Sequence, residues 1–583
     1  MSQFILYCRK LDAQTRTITE KGLNNILSRL TPENLSPNPP YMVSHNGLLI
    51  GMLNPVDTVK IHPKAICLGQ IYESDLQWNR MHAPAPNGTY ALIRFDQNHI
   101  EVLADALATR SIWYYYDKDT FIASNSQRAI ILLLQSFEPD RETISWMISS
   151  GTLGPFHSWD RRISMLPGSA TFSLDRKSWK GKITRHPSRF TPEKGSYQSF
   201  KKKYTSILSN QIGKIEYDPS QWIFPLSGGY DSRALLMYSD SIKKLQSITW
   251  GRKEAIDIPY TDGYIGSQLA RHFGISHSYH PIQQSTDTIE KTLGKFMEQG
   301  EGRTEGFSAY IDGFQLWEKL FEQGYSGYIR GDQPYAGDWA RNVFEVREGS
   351  MMLLLEDIDK SKRFLEWGLK EQKIPEEFEQ LPGEHIMDWK DRLCQLFSVP
   401  ALYAPLTFLK SAYLETTNPF FHKKMIDFAY EIPFEIRLKK ELFWKIIRDK
   451  SPNIPFAHRS IDISMDYLCY SKEVSRIIID TLESSEAEAL LPEKFITYVL
   501  SQFKGSDHSF YDSPDIHSPG MKKKLRAYIP KKYFRKYRKI RESREAEIYQ
   551  LAFRSFIIVK MHELLTLDAA YLRQLQPEFN YKA

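Results

Sequence analysis

The sequence predicts an α/β protein in which a β-rich N-terminal domain precedes a second domain built on a parallel sheet. Strand patterns punctuated by turn residues fill residues 1–185, and strands alternate with helices from about residue 200. A glycine-rich loop, residues 227–232 (SGGYDS), lies between an apolar strand and a helix. At 583 residues the chain is too long for one hydrophobic core, so two or three domains are expected.

Composition excludes several classes of protein. Hydrophobic residues make up 42% of the chain and charged residues 25%, which is typical of a globular protein. The longest apolar runs, such as residues 130–134, are too short for a membrane span, and residues 1–8 do not resemble a signal peptide. The four cysteines lack CxxC spacing, which argues against a zinc ribbon or a disulfide scaffold. We therefore expect a cytoplasmic protein without a membrane span.

Positive charge is concentrated near the C-terminus. The net charge is +6, yet residues 522–544 contain twelve Lys or Arg and one Glu, so the rest of the chain is acidic on balance. A basic segment with interleaved aromatic residues could bind nucleic acid, anionic lipid or an acidic peptide. It could equally be a solvated amphipathic helix that packs its aromatic side on the protein. The second interpretation is favoured, so a nucleic-acid partner is not expected.

The first domain, residues 1–185, is predicted to be mainly β. Residues 47–52, 90–95, 100–104 and 112–116 are rich in strand-forming side chains and are separated by turn residues. Residues 31–40 are proline-rich and are predicted to form a surface loop. The polar stretch 185–199 is typical of a linker to the next domain.

The second domain is placed at residues 200–500. Its predicted strands are followed by helical patterns, which is the signature of a parallel sheet. In the helix after the second strand, for example, Ile265, Leu269 and Phe273 fall on one face. Further helices are predicted at about 286–299 and at 312–323. The predicted strands are residues 222–226, 245–250, 277–282 and 328–330.

Three C-terminal features complete the prediction. Residues from about 350 to 500 are expected to be mostly helical, and residues 505–520 are expected to form a mobile loop. The basic segment follows, and a final helix is predicted at about 545–566. Residues 521–583 are therefore treated as a separate basic helical unit.

The glycine loop is predicted to hold pyrophosphate. Gly228 and Gly229 free the turn from side-chain clashes, so successive backbone N–H groups can surround an anion, and the following helix N-terminus adds partial positive charge. Ser227 and Ser232 supply hydroxyl donors. Asp231 supplies a carboxylate for Mg²⁺. The loop therefore indicates chemistry at the α-phosphate of ATP.

A second carboxylate is expected at the same edge of the sheet. Gly331 and Asp332 follow the fourth strand directly, and ligands of doubly wound sheets bind at the carboxyl ends of the strands. Asp231 and Asp332 are therefore predicted to share magnesium. Thr249, at the end of the second strand, and Gly331 are predicted to contact the nucleotide.

Two structural interpretations compete with these assignments. A Ser-Gly-Gly turn can simply begin a helix, and Asp is an ordinary first-turn residue. The strand before the loop and the helix after it favour the phosphate-binding interpretation. His272, His277 and His280 could suggest a metal site, but they span a helix end and a strand and lack a fourth ligand, so no such site is predicted.

With these motifs in place, the chain resembles the B-type asparagine synthetase family. Residues 87–96, Asp105, Arg110 with 113–116, 122–126 and 166–168 follow the glutaminase-like domain of that family in order. Residues 227–233 match its pyrophosphate loop and 328–337 its second ATP loop. Residues 418–422, residues 440–448, Pro455 and Arg459 resemble its later helical signatures. The resemblance implies an N-terminal αββα hydrolase-type domain and an ATP-pyrophosphatase domain that forms an acyl-adenylate from ATP and Mg²⁺.

The departures from the family pattern are informative. Glutamine-hydrolysing members use a cysteine directly after the initiator methionine, whereas Ser2 stands here and Cys8 lies too far into the chain. A hydroxyl is a much weaker nucleophile than a thiol, so the glutaminase site is predicted to be inactive. Ile329 stands three residues before Asp332, where the family has glutamate, and Ile461 replaces a lysine near Arg459. A standard asparagine synthetase is therefore not expected.

The resemblance leaves three functions open. The preferred one is a ligase that adenylates a carboxylate and transfers it to an amine of the same molecule, as in the lasso-peptide macrolactam cyclases. In the second, an amidotransferase-like enzyme amidates the carboxylate of a metabolite or envelope sugar with ammonia or glutamine. The third is a tRNA-modifying ATP pyrophosphatase, which the basic segment would suit. A peptide or small-molecule carboxylate is the expected substrate, and a precursor-peptide-processing protein is a possible partner.

No motif identifies the general base. Glu301 and Glu305, just before a predicted helix, are candidates, although each could be an ordinary surface charge. Arg303 between them could bind a carboxylate or phosphate. Arg330 beside Asp332 could contact pyrophosphate or AMP.

Overall fold

The computed structural model describes residues 3–10, 18–73, 77–185, 189–462, 465–505 and 548–575. Ser2, the loop at 506–520 and the basic segment at 522–544 lie outside these ranges, so the predictions made for them remain untested.

The described chain contains seventeen strands and twenty-one α-helices, numbered here in chain order. The strands are β1 Gln3–Arg9, β2 Tyr41–His45, β3 Leu48–Leu53, β4 Lys60–His62, β5 Ala65–Ile71, β6 Gly88–Phe95, β7 His99–Ala104, β8 Trp113–Tyr116, β9 Thr120–Ser124, β10 Ser164–Met165, β11 Ala170–Asp175, β12 Lys180–Arg185, β13 Trp222–Pro225, β14 Ser247–Gly251, β15 His277–Pro281, β16 Gly327–Ile329 and β17 Glu415–Thr417.

The helices are α1 Glu20–Leu30, α2 Gln127–Leu134, α3 Arg141–Ser150, α4 Tyr197–Ile207, α5 Tyr230–Tyr238, α6 Asp262–Phe273, α7 Ile289–Gly300, α8 Gln315–Glu322, α9 Val343–Gly349, α10 Leu355–Ile358, α11 Arg363–Glu366, α12 Ile386–Leu393, α13 Ala404–Phe408, α14 Lys423–Glu431, α15 Phe434–Arg437, α16 Glu441–Lys450, α17 Met465–Cys469, α18 Lys472–Leu482, α19 Ser485–Leu490, α20 Glu493–Lys504 and α21 Ile548–Gln574. A π-helix, Cys394–Tyr403, joins α12 to α13.

Two antiparallel six-stranded sheets form the N-terminal sandwich. Their strand orders are β10-β8-β9-β1-β3-β2 and β12-β11-β7-β6-β5-β4. Alternate residues of β1 point to opposite sides of the first sheet: Phe4 and Leu6 pack on Ile66 and Leu68 between the sheets, while Ile5 packs on the helices outside. This alternation makes a buried sandwich core, as the sequence predicts for residues 1–185.

One expectation for this domain needs correction. The resemblance implies helices on both outer faces of the sandwich, and α1 and α2 do cover the first sheet. The outer face of the second sheet instead buries Cys67, Tyr90 and Leu92 under Trp78, and its strand β5 contacts β17 of the second domain. Among the described residues, a loop and the neighbouring domain therefore take the place of the second helical layer.

The second domain contains a parallel five-stranded sheet in the order β15-β14-β13-β16-β17. The four predicted strands are confirmed with bounds shifted by one or two residues. The fifth, β17, escaped prediction because three residues with the sequence ETT give too short a pattern. β13 lies at the centre, so the glycine loop leaves the sheet at its middle.

The C-terminal helix α21 is a core element. It is 27 residues long, and apolar residues lie all around it, which is typical of a buried helix. It packs on α2 and α3 of the first domain and on α7, α18 and α20 of the second. The final predicted helix is thus found, but it joins the two domains. Within the described ranges no helix is long and apolar enough to span a membrane.

Candidate active site

The glycine loop connects the end of β13 to the start of α5. Ser227 Oγ and Ser232 Oγ lie 2.8 Å apart, and the Gly229 N–H donates to Ser227 Oγ at 3.3 Å. The Gly228 N–H donates to Asp262 Oδ1 at 2.8 Å. Helix α5 begins at Tyr230, and Gly229 before it has no side chain to cap the first-turn N–H groups. The loop therefore presents uncapped helix donors beside two serine hydroxyls.

Asp231 lies in the first turn of α5. Gln333 Nε2 donates to its Oδ1 at 3.0 Å. Loss of hydration raises the pKa of Asp231, Lys440 and Gln333 oppose that rise, and Asp332 reinforces it. Electrostatic coupling of this kind means that the two predicted carboxylates lie near each other.

Asp332 is paired with the arginine that precedes it by two residues. Arg330 Nε lies 2.9 Å from Asp332 Oδ2, and Arg330 Nη2 donates to Asp332 Oδ1 at 3.2 Å. Burial alone would lower the pKa of Arg330, but the Asp332 carboxylate reverses this and raises it. Asn418 contacts the same residue: its amide donates to the Asp332 backbone carbonyl at 3.1 Å. Asp332 is therefore held by charge and by hydrogen bonds.

The two loops touch through a glycine. A Cβ at Gly331 would lie 3.3 Å from Asp231 Cβ and 3.2 Å from a methyl of Leu235, so the second loop passes directly over the first turn of α5. Lys440 approaches the two loops from another side. Its backbone and side chain pack on Gly337. Lys439 and Lys440 both have positive φ, at 54° and 55°, an uncommon conformation for lysine that stores strain near this site.

A third segment covers the glycine loop. The Ala457 N–H donates to the Gly228 carbonyl at 3.0 Å, and a Cβ at Gly228 would lie 2.5 Å from the Ala457 Cβ. Arg233 holds the segment by donating to the backbone carbonyls of Ile454 and Pro455, both at 2.8 Å. Tyr230 stacks on Phe456, with ring centroids 4.0 Å apart. Gly228 thus cannot carry a side chain unless residues 454–457 move.

Thr249 supports the loop from the neighbouring strand. It is buried, and its hydroxyl donates to the Leu226 carbonyl at the end of β13. A Cβ at Gly266 would lie 2.9 Å from the Thr249 hydroxyl, so α6 approaches closely at this point. Whether Thr249 also contacts a nucleotide stays a prediction.

Glu301 has a structural partner far along the sequence. Its carboxylate accepts from the Ser126 hydroxyl and from the N–H groups of Gln127 and Arg128, at 2.9 and 3.3 Å, at the start of α2. Burial raises the pKa of Glu301, and these donors oppose the rise. Glu301 therefore caps a helix of the first domain, and nothing in these contacts links it to the glycine loop.

Glu305 is likewise engaged elsewhere. Arg554 of α21 donates to both of its carboxylate oxygens, at 2.7 and 3.0 Å. Such bidentate pairs fix both side chains. The structure thus does not bring Glu301 or Glu305 to the glycine loop or to the loop that carries Asp332, which argues against either as the general base.

Lys410 is a buried residue that the sequence analysis did not single out. Its ammonium group lies 3.1 Å from the Tyr310 hydroxyl and among the rings of Tyr310, Trp317 and Tyr328. Burial and the nearby Arg330 guanidinium hold its pKa well below the ordinary lysine range. A single lysine in a turn after a short apolar helix gives no local sequence signal, because only the fold surrounds it with aromatic rings.

Residues of the glutaminase-like signature form the interface between the domains. Asn87 Nδ2 lies 2.8 Å from His422 Nε2, and Asn87 Oδ1 accepts from the Lys423 N–H at 2.8 Å. Burial lowers the pKa of His422 to about 4, so the imidazole is neutral at pH 7. Asp105 is committed to its own turn, where it accepts from the N–H groups of Leu107 and Thr109. These side chains are thus occupied by structural contacts.

The carboxylates fit a magnesium ion that arrives with a nucleotide. No cluster of three or more potential metal-ligating side chains occurs in the described ranges. Mg²⁺ commonly takes one or two carboxylates and completes its shell with phosphate and water. Asp231, with a single side-chain donor on it, can supply one ligand, whereas Asp332 must share its oxygens with Arg330.

Comparisons with known proteins do not assign the chain to a family. No protein-family model matches it, and no curated protein matches it. Among solved structures, the allosteric regulatory enzyme of purine biosynthesis is similar at 8% identity and a TM-score of 0.21, over 50% of this chain and 70% of that one.

Two further solved structures show similarities of the same size. The U34-tRNA thiolase NcsA from Methanococcus maripaludis, with its [4Fe-4S] cluster, has 14% identity and a TM-score of 0.21, over 56% of this chain and 86% of that one. The glutamine phosphoribosylpyrophosphate amidotransferase from B. subtilis, complexed with ADP and GMP, has 10% identity and a TM-score of 0.18, over 50% and 70%. With scores this low, none of these similarities supports a functional conclusion.

Proposed function

We propose that this protein is an ATP-dependent ligase that adenylates a carboxylate and transfers the acyl group to an amine. The preferred reaction is macrolactam formation within a ribosomally made peptide of the lasso type. One observation carries the proposal: the glycine loop at the centre of a parallel sheet meets the loop 331–332 of the adjacent strand, so closely that a Cβ placed on Gly331 would lie 3.3 Å from Asp231 Cβ. Two carboxylates beside uncapped helix donors suit a magnesium-bound triphosphate.

The roles follow from this arrangement. Ser227, Gly228, Gly229 and Ser232 hold the departing pyrophosphate, while Asp231 and Asp332 bind the magnesium ion that accompanies it. A carboxylate oxygen of the substrate attacks the α-phosphorus and pyrophosphate leaves.

The amine then attacks the acyl carbon, AMP leaves, and the amine proton passes to a base. Arg330 is paired with Asp332. When the Asp332 carboxylate turns toward magnesium, the Arg330 guanidinium loses this partner and can contact the phosphates instead. For Gly228 to contact pyrophosphate through its N–H, its hydrogen bond to Asp262 must open.

The amine is proposed to come from the substrate itself. Ser2 is a weak nucleophile in place of cysteine. Asn87, in the glutaminase-like signature, is held by His422 and Lys423 of the second domain. Both observations argue against glutamine as the nitrogen source. Transfer to an amine already held in the same molecule needs no ammonia and gains from proximity.

Mass spectrometry of an ATP-fed reaction tests the proposal. The protein is incubated with Mg²⁺, ATP and extracts of host peptides and metabolites, with Asp231→Ala as the blank. Asp240→Ala is the matched control, because Asp240 lies just beyond α5 and is 89% exposed. AMP and pyrophosphate together with loss of one water from a peptide are expected.

The other outcomes identify the alternatives. If the product instead carries an amino group in place of a hydroxyl, and its formation depends on ammonia, the reaction is amidation of a metabolite or envelope sugar and not macrolactam formation. AMP formation that requires added tRNA would point to a tRNA-modifying enzyme. No AMP above the Asp231→Ala blank, with any of these substrates, would refute adenylation.

A further inference from the structure

The glycine loop finds acceptors for its own backbone N–H groups within the protein. The N–H groups of Ser227 and Gly229 donate to serine hydroxyls, Ser232 Oγ at 3.2 Å and Ser227 Oγ at 3.3 Å. The Gly228 N–H, which lies between them in the chain, donates to Asp262 Oδ1 at 2.8 Å. Of these three acceptors only the last is a carboxylate, and charge-assisted hydrogen bonds are about twice as strong as neutral ones. Asp262 is therefore the acceptor that competes most strongly with an anion at this loop.

The competing carboxylate belongs to a neighbouring helix. Asp262 is the first residue of α6, so its charge lies at the positive end of that helix and also on an N–H two residues before α5. A phosphate bound to the glycine loop would present an anionic oxygen to the same N–H. Asp262 is exposed, so water can hydrate its carboxylate as soon as the contact with Gly228 opens. Displacement of the carboxylate therefore leaves no buried charge behind.

The segment that covers the glycine loop, residues 454–459, reinforces this contact. The Ala457 N–H donates to the Gly228 carbonyl at 3.0 Å, and the next two N–H groups along the chain donate to the Tyr260 carbonyl at 3.0 and 3.1 Å. Tyr260 lies two residues before Asp262, so the covering segment ties the glycine loop to the start of α6. Gly228 is buried, and both of its backbone polar groups are bonded to other parts of the protein.

We propose that Asp262 is an internal competitor of phosphate: its carboxylate closes the glycine loop and must be displaced when phosphate binds. The inference rests on the proposed function, since it needs a glycine loop that binds phosphate. Phosphate gains the Gly228 N–H only when the carboxylate leaves, so the free energy of that contact is subtracted from phosphate binding. The negative charge of Asp262 beside the loop adds repulsion. Asp262 therefore regulates the affinity of the loop and touches no reacting atom.

Isothermal titration calorimetry tests the proposal with two probes, inorganic pyrophosphate and the Mg²⁺ complex of α,β-methylene ATP, which cannot release pyrophosphate. Asp262→Ala removes the competing acceptor and its charge, so it is expected to bind both probes at least about threefold more tightly than the unmodified protein. A merely structural role of Asp262 would weaken binding or leave it unchanged. Asp257→Ala is the matched control: it removes the same charge from an exposed residue five positions earlier and should leave both affinities unchanged.

A second variant keeps the test decisive if thermal unfolding shows that Asp262→Ala does not fold. Asp262→Asn can still accept from the Gly228 N–H but carries no charge, so a smaller gain in affinity is expected. Unchanged or weaker binding by the folded Asp262 variants, or an equal gain in Asp257→Ala, would overturn the proposal and leave a phosphate-binding loop standing. If neither the unmodified protein nor any variant binds either probe, both this inference and the proposed function fail.

Discussion

At the scale of single residues, the two aspartates of the candidate site differ in the groups that their carboxylates contact. Asp332 is neutralised by Arg330, whereas the carboxylate of Asp231 accepts a hydrogen bond from an amide, Gln333, and lies near a second acid. The ionised form of Asp332 is therefore stabilised by an opposite charge, while the ionised form of Asp231 is held at a cost in free energy.

Asp231→Asn is predicted to separate function from stability. The raised pKa of Asp231 means that the folded state binds the proton more tightly than the unfolded state, so ionisation at pH 7 opposes folding. The amide should therefore leave the thermal unfolding midpoint unchanged or higher. ATP–pyrophosphate exchange should fall about a hundredfold or more, because one magnesium ligand is lost.

The pH dependence of ATP–pyrophosphate exchange is a second test of the same prediction. In the unmodified protein, exchange should decline on acidification at a higher pH than an ordinary aspartate would give, since Asp231 takes up its proton earlier. A fall in unfolding temperature of Asp231→Asn, matching the loss of exchange, would instead assign the residue a structural role.

Glu301→Ala is predicted to have the opposite signature. The carboxylate accepts three hydrogen bonds at the start of α2, and alanine can replace none of them. Loss of a cap of this kind costs about 1–2 kcal/mol. The unfolding temperature should fall, while exchange by the folded fraction should stay within about twofold. A large loss of exchange at an unchanged unfolding temperature would restore Glu301 as a catalytic candidate.

At the scale of elements, α21 connects parts of the chain that are distant in sequence. Asp568 is fully buried, 2.7 Å from Arg128 of α2 and 3.1 Å from Arg29 of α1. Arg554, two turns from the other end, binds Glu305 and the carbonyls of Ile148 and Ser149. The helix therefore joins α1, α2 and α3 of the first domain to the second domain.

Asp568→Asn is predicted to destabilise the protein strongly. It would leave Arg128, itself 3% exposed, without its carboxylate, and breaking a buried ion pair costs about 3–5 kcal/mol. Thermal unfolding and soluble yield measure the effect. Asp449→Asn is the matched control: its pair with Lys201 is exposed and should be worth less than about 1 kcal/mol. Equal effects of the two changes would contradict this account of α21.

At the scale of the whole molecule, the first domain is joined to the second by buried polar contacts. Arg110 and Glu415 form an ion pair at 2.5 Å, with side chains 2% and 0% exposed. Asn87 binds His422, and the Tyr72 hydroxyl donates to the Asn418 carbonyl at 2.7 Å. Asn418 in turn contacts Asp332. The first domain thus supports the loop that carries Asp332.

Ser2→Cys is predicted not to restore glutamine hydrolysis. Even with a thiol in place, Asn87 and Asp105 of the glutaminase-like signature are occupied by His422, Lys423 and the turn at 105–109. Glutamate release from glutamine should stay at the level of the unmodified protein. Detectable release by Ser2→Cys would show that these contacts open readily. It would return glutamine to the list of nitrogen sources.

Local sequence patterns determined much of this protein. The strand of β13, the two glycines and the helix of α5 follow from neighbouring residues, because periodicity and turn chemistry act over a few positions. It was equally predictable that a β-rich part before residue 186 is followed by parallel strands after residue 221. The proximity of Asp231 and Asp332 also followed, since the carboxyl ends of parallel strands share one edge.

Only the tertiary structure decided which charges are partnered. Glu301 and Glu305 looked alike in the sequence, yet one caps α2 and the other binds Arg554, 249 residues away. Arg303 between them was buried against two aromatic rings, and Lys410 was enclosed by three. In the unfolded chain, water solvates all of these charged side chains in the same way, so their free energies are alike. Burial makes them differ, because the free energy of a charge depends on whatever the fold places beside it.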